Sequence, residues 1–94
     1  MELTSKQRQY LKGLAHHLKP TVQVGDKGMT SAVLEKVSEE LEFHELIKVK
    51  VDDEAKVKGP ILAEGTQAAL VQVIGRTIVL YRRREKKPAI RLPA

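Results

Sequence analysis

Thr21-Val22-Gln23-Val24-Gly25-Asp26-Lys27-Gly28-Met29-Thr30 is the stretch from which the rest of the chain is read. A short valine-rich run stops at Gly25 and a Gly-x-x-Gly corner follows. Thr30 is then placed to cap a helix, because its hydroxyl can accept an unpaired N–H of the first turn. Strand, corner and helix in that order open an α/β unit. Glycine lacks a Cβ, so the corner can turn sharply and let a ligand come close. The open amides at a helix start carry partial positive charge and suit an anion. Lys27 adds a full charge. Gly25, Asp26, Lys27 and Gly28 are therefore read as a phosphate clamp, provided the surroundings support it. Alone, such a corner is an ordinary tight turn.

Upstream, Thr4 or Ser5 can cap a first helix running to about residue 17. Tyr10, Leu11, Leu14 and Leu18 fall on one of its faces, and Arg8, Lys12, His16 and Lys19 form a stripe beside that face. Lys19-Pro20 ends it, since the residue before proline avoids the α region. Downstream, a helix over about 31–42 would bury Val33, Leu34, Val37 and Leu41 and turn Glu35, Glu39 and Glu42 away. Residues 45–51 alternate as a strand, with Ile47, Val49 and Val51 on one side and Leu46, Lys48 and Lys50 on the other. Gly59-Pro60 interrupts the next segment, so only a short helix over about 59–64, ended by Gly65, is expected. Residues 70–74 and 77–82 pair as a hairpin across Gly75-Arg76.

The expected fold class is α/β: two layers, with a four-stranded mixed sheet and the order helix, strand, helix, strand, helix, strand, strand. One domain covers 1–87, and 88–94 is a C-terminal tail from which Ile90 and Leu92 can dock. The chain's 94 residues, 41% apolar and 31% charged, suit one domain with a modest core. It has no cysteine, which excludes disulfides and thiolate metal sites. No run approaches the roughly 18 apolar residues that span a bilayer. Met1 is followed by Glu2 and polar residues rather than a signal peptide. A cytoplasmic location is the expectation.

The net charge of +5 is unevenly spread: +3 over residues 1–20, −4 over 21–64 and +6 over 65–94. A basic patch forms only if the two ends of the chain converge, and such a patch favours a polyanion. The case for catalysis is thin. His16 and His17 are adjacent and point to different helix faces. His44-Glu45 lacks the second histidine of a zinc helix. The glycine corner is too short for a nucleotide-binding loop. No enzyme activity, cofactor or metal is expected. Tyr10, Phe43 and Tyr81 are the only aromatic residues, too few for base stacking across a sheet. Contacts to phosphate and sugar are expected to dominate, with the corner holding nucleic-acid backbone as in a KH module.

Four segments together carry a resemblance: 6–20, the glycine corner, 44–51, and 71–82, with Ile90-Arg91-Leu92-Pro93 as a fifth echo. They resemble the small bacterial YhbY-like proteins, single-domain members of the CRM RNA-binding family. The resemblance implies a fold similar to the C-terminal domain of translation initiation factor three, with one extra N-terminal helix. It implies a monomer that binds RNA, associates with precursors of the large ribosomal subunit and assists their assembly. The family's glycine loop maps onto Gly25, Asp26, Lys27 and Gly28. Two departures stand out: Asp26 puts a negative charge inside the loop, and the segment around Gly59-Pro60 is shorter by about one helical turn. The expected RNA surface combines the corner with Arg8, Lys12, His16, Lys19, Arg76, Arg82 and Arg83. The competing reading is a protein-binding adaptor that meets ribosomal proteins through the acidic second helix or the sheet.

Overall fold

The structure, a computed structural model, describes residues 2–25 and 28–94. Its elements are α1 (Ser5–Ala15), β1 (Val22–Val24), α2 (Ser31–His44), β2 (Leu46–Val51), α3 (Ala55–Thr66), β3 (Ala69–Ile74) and β4 (Thr77–Tyr81). The four strands form one sheet in the order β1-β2-β4-β3, with β1 parallel to β2 and the other pairs antiparallel. The order of elements and the mixed sheet match the sequence expectation.

Both expected caps form. Thr4 accepts the Gln7 amide while the Gln7 side chain accepts the Thr4 amide, a capping box that fixes the start of α1. The Thr30 hydroxyl accepts the Val33 amide at the start of α2. Val37 and Leu41 of α2 are fully buried, with Val33 and Leu34 packed beside them. They meet Val22, Val24, Ile47, Val49, Ile78 and Leu80 from the strands. This sheet layer with α2 and α3 is the two-layer structure read from the sequence. The reverse face is partly covered as well. There Leu11 and Ala15 of α1 cover Leu46, Val71, Val79 and Tyr81, with Leu3, Ile90 and Leu92 at the margins. The buried stripe of α1 is thus Leu11 and Ala15, whereas Tyr10, Leu14 and Leu18 remain about two-fifths exposed.

The third helix corrects the sequence reading most. It spans 12 residues rather than about six, with Pro60 inside it. Two properties of Gly59 allow this. Proline crowds the Cβ of the residue before it, and Gly59 has none. Gly59 also lies where α3 crosses the sheet: a Cβ there would stand 3.2 Å from Leu70 Cδ1 and 3.3 Å from Val73 Cγ2. Pro60 and Lys56 are both on the exposed side, so the Lys56 carbonyl that proline leaves without a helical donor faces water. Gly65 does not end the helix. It packs inside it against Leu34, and the turn comes at Gln67, whose φ is +57°. Gly59→Val is expected to lower unfolding stability by about 1–2 kcal/mol, because the overpacking outweighs the gain in helix propensity. Urea denaturation checks it, and an unchanged midpoint would contradict the close approach.

Residues after β4 turn back across the reverse face and are held by one side chain. Glu45, between α2 and β2, is fully buried with φ +63°. Its carboxylate accepts the amides of Arg84 at 2.9 Å, Ala89 at 2.7 Å and Ile90 at 2.9 Å. Burial pushes this carboxyl up, but the three amides and the Arg84 charge outweigh it and hold the pKa below the ordinary 4.5. Further on, the Gln7 side chain donates to the Pro93 carbonyl at 3.0 Å, which ties the end of the chain to α1.

Candidate nucleic-acid interface

The glycine corner leaves the end of β1. The Gly28 amide donates to the Gly25 carbonyl at 3.0 Å and the Thr30 amide to the Gly28 carbonyl at 3.1 Å, so the corner is a hydrogen-bonded turn. Gly28 has φ +68°, a conformation that glycine adopts without strain. Apart from their chain neighbours, no described atom lies within 4 Å of where a Cβ would stand at Gly25 or Gly28. Asp26 and Lys27, the charged centre of the expected clamp, lie outside the described residues. The Gly28 amide is used by the turn itself. In the first turn of α2 the amides of Val33 and Leu34 are taken by Thr30, which leaves those of Ser31 and Ala32 at the open end.

Register places the other site residues. Val24 pairs with Val51, and the Val51 amide donates to the Arg76 carbonyl at 2.9 Å. The hairpin turn therefore lies at the same end of the sheet as the glycine corner. Lys50 sits at that end too, paired with Gln23 on one side and Thr77 on the other. On α1, Lys12 is about 160° around the axis from Leu14. Leu14 lines an apolar groove at the other end of the sheet, together with Leu18, Leu46, Ile47 and Ile90. Lys12 consequently occupies the flank of α1 turned away from that groove.

The remaining expected residues are not gathered there. Arg76 and the pair Arg82-Arg83 lie beyond opposite ends of β4. Arg82 turns inward: its guanidinium donates to the Ser38 hydroxyl at 3.0 Å, the Thr66 carbonyl at 2.8 Å and the Ser38 carbonyl at 2.9 Å, and lies 3.4 Å from Glu42. Arg8 likewise donates to the carbonyls of Leu70 and Val71 and pins α1 to β3. Both guanidiniums have donors committed to part-buried backbone carbonyls. Their charge was visible in the sequence, but their acceptors lie 16 to 63 residues away. Lys19 rims the apolar groove of about 510 Å³, and His44 faces it from the end of α2. His16 and His17 are exposed at the end of α1, ring edge to ring face at 5.3 Å. Arg83 is exposed beside Tyr81 and Ile90.

The expected basic surface is thus divided. Gly25, Gly28, Lys50 and Arg76 stand at the corner end, Lys19 and Arg83 stand at the other, and Lys12 lies on α1 between them. Lys50 is the residue the site reading left out, although strand alternation had already set it beside Lys48. On the far side of the sheet, Glu35, Glu39 and Glu42 of α2 line an acidic groove that Arg82 partly neutralises. Among the described residues, no group of three acids or histidines is placed to hold a metal ion, and no helix is long and apolar enough to cross a membrane.

Comparison with known proteins gives this geometry its context. Residues 3–82 match the family model of the CRS1 / YhbY (CRM) domain. A Haemophilus influenzae protein named RNA-binding protein is 50% identical over 96 residues, covering 97% of this chain and 95% of its own length. A Bacillus subtilis protein named probable RNA-binding protein YqeI is 40% identical over 95 residues, covering 97% of this chain and 99% of its own. The solution structure of a hypothetical Staphylococcus aureus protein, proposed to bind RNA, superposes with a TM-score of 0.83 at 40% identity, over 98% of this chain and all of the other.

Proposed function

Since the chain belongs to the CRS1 / YhbY (CRM) domain family, we propose that it binds RNA at the corner end of its sheet and assists assembly of the large ribosomal subunit. The observation that carries the RNA reading is the convergence there. Lys50 of β2 and Arg76 of the hairpin, distant in sequence, stand at the same end of the sheet as the glycine corner, while the acids of α2 lie on the opposite side. The relatives' names support RNA as the polyanion. The step to precursor large subunits rests on the resemblance to YhbY-like proteins alone. In this reading a single copy holds RNA backbone against Gly25 and Gly28, with Lys12, Lys50 and Arg76 fixing the path of the strand, and no chemistry is performed on it.

Lys12→Glu combined with Arg76→Glu is expected to lower RNA affinity by more than about tenfold near physiological salt and to cut the salt dependence by about two in log–log slope. Anisotropy titrations at several salt concentrations measure both. Equal affinity for the double variant and the parent would refute the assigned surface. Crosslinking in cells followed by sequencing of bound RNA tests the assembly role, and a pool without ribosomal RNA or its precursors would remove that role. Loss of association on reversal of Glu35 and Glu39, with RNA binding intact, would instead favour the adaptor reading.

A further inference from the structure

The reverse face of the sheet is only partly covered. α1 lies over Leu46, Val79, Tyr81 and Val71, and stops short of the end where the glycine corner and hairpin stand. At that end Gln23, Lys50, Thr77 and Ile74 form one unbroken row across all four strands in register. Gln23 and Lys50 are exposed, as is Ile74 at 54%. Lys48 stands two residues before Lys50 on the same strand and the same face, half-buried beside Val79. Its stem lies along apolar surface and leaves the amine to reach water. The result is a shelf of three interstrand spacings, roughly 14 Å wide, with α1 as a ridge along one side.

The chemistry of the shelf limits what can lie on it. It presents two lysines whose backbone positions are about 6.6 Å apart, so that two amines can reach along one strand of phosphates. Gln23 and Thr77 add uncharged hydrogen-bonding groups, and the nearest described acids, Asp52 and Asp53, lie beyond the end of β2 rather than in the row. Asp53, beyond the end of β2, is paired with Lys58 at 2.8 Å. Recognition of unpaired bases relies on aromatic faces for stacking. None of the chain's three aromatic residues is available here: Tyr81 is fully buried, Phe43 projects from the end of α2, and Tyr10 is on the Leu14 flank of α1. Double-stranded RNA hides its bases and offers phosphates and 2′-hydroxyls across a wide, shallow groove, which a flat polar shelf can meet.

We propose that this shelf, centred on Lys48 and Lys50, binds the backbone of double-stranded RNA and makes duplex RNA the preferred ligand class. The proposal rests on the RNA reading above and specifies the form of RNA. The probes are a blunt RNA duplex of about 16 base pairs and a uridine homopolymer of the same length, each titrated against the full chain at low salt. The duplex is expected to bind at least about tenfold more tightly than the homopolymer. Lys48→Gln with Lys50→Gln is expected to weaken duplex binding about tenfold and reduce its log–log salt slope by about two. Lys50→Gln alone, at an exposed site, is expected to give about half that slope change with an unaltered melting curve. A homopolymer that binds as tightly as the duplex, or duplex affinity unchanged in both variants, would overturn the proposal and leave RNA binding standing. Failure of the parent to bind either RNA would overturn the underlying reading along with it.

Discussion

Glu45→Ala is expected to destabilise the protein by about 3–5 kcal/mol, because three backbone donors lose a charged acceptor at once. The substitution leaves three amides, those of Arg84, Ala89 and Ile90, with donors turned toward an empty pocket. Each had a charge-assisted bond, among the stronger kinds in a protein. Two sections of chain would respond differently. The β2–β4 ladder keeps its own hydrogen bonds, whereas residues 84–94 lose their anchor. Hydrogen exchange at Ala89 and Ile90 should therefore accelerate far more than exchange in β4. Glu45→Gln, which keeps the shape but supplies a single neutral acceptor oxygen, should fall between the two. Acid should imitate the substitution. With its folded pKa held below the ordinary 4.5, Glu45 takes up a proton more readily in the unfolded chain. Its contribution is complete above that ordinary value and is lost as pH falls through the lower folded value. Exchange at Ala89 that is insensitive to both Glu45→Ala and acidification would show that the carboxylate is not the anchor.

The second large effect concerns Arg82. Arg82→Ala is expected to cost about 2–3 kcal/mol, because it strands the Thr66 carbonyl at the end of α3 and removes the bonds that tie the end of β4 to Ser38 of α2. The salt bridge to Glu42 adds little, since that carboxylate is 64% exposed. RNA affinity, measured below the melting temperature, should stay within about twofold of the parent, in contrast to the loss expected on reversing Lys12 and Arg76. If Arg82→Ala abolished RNA binding in a protein of unchanged stability, the inward placement of its guanidinium would be the wrong account.

Arg82 also shows what a sequence reveals and what it does not. Periodicity found the buried stripe of α2, the alternation of β2 and the hairpin across Gly75, because each is set by neighbours three, four or two residues away. The caps at Thr4 and Thr30 were legible for the same reason. The length of α3 was not. Pro60 reads as a breaker, and only the packing of Gly59 against Leu70 and Val73 shows why the helix runs through it. Glu45 reads as one more surface acid before a strand. Its partners are 39 to 45 residues downstream, so nothing local marks it. In the candidate site, Arg76 and the glycine corner stand at the same end of the sheet, as the convergence of the chain ends required. Arg8 and Arg82 were counted as surface charge, because a sum of charges does not distinguish an arginine that faces water from one that holds carbonyls.

The bond between Gln7 and Pro93 has a practical corollary. It brings α1 and the segment after β4 to one spot, beside Tyr81 at the sheet end remote from Gly25 and Arg76. A fluorophore carried on an exposed side chain of that segment, such as Arg91, stands at the end of the sheet opposite the corner. Labels placed there can report on RNA without standing in its way.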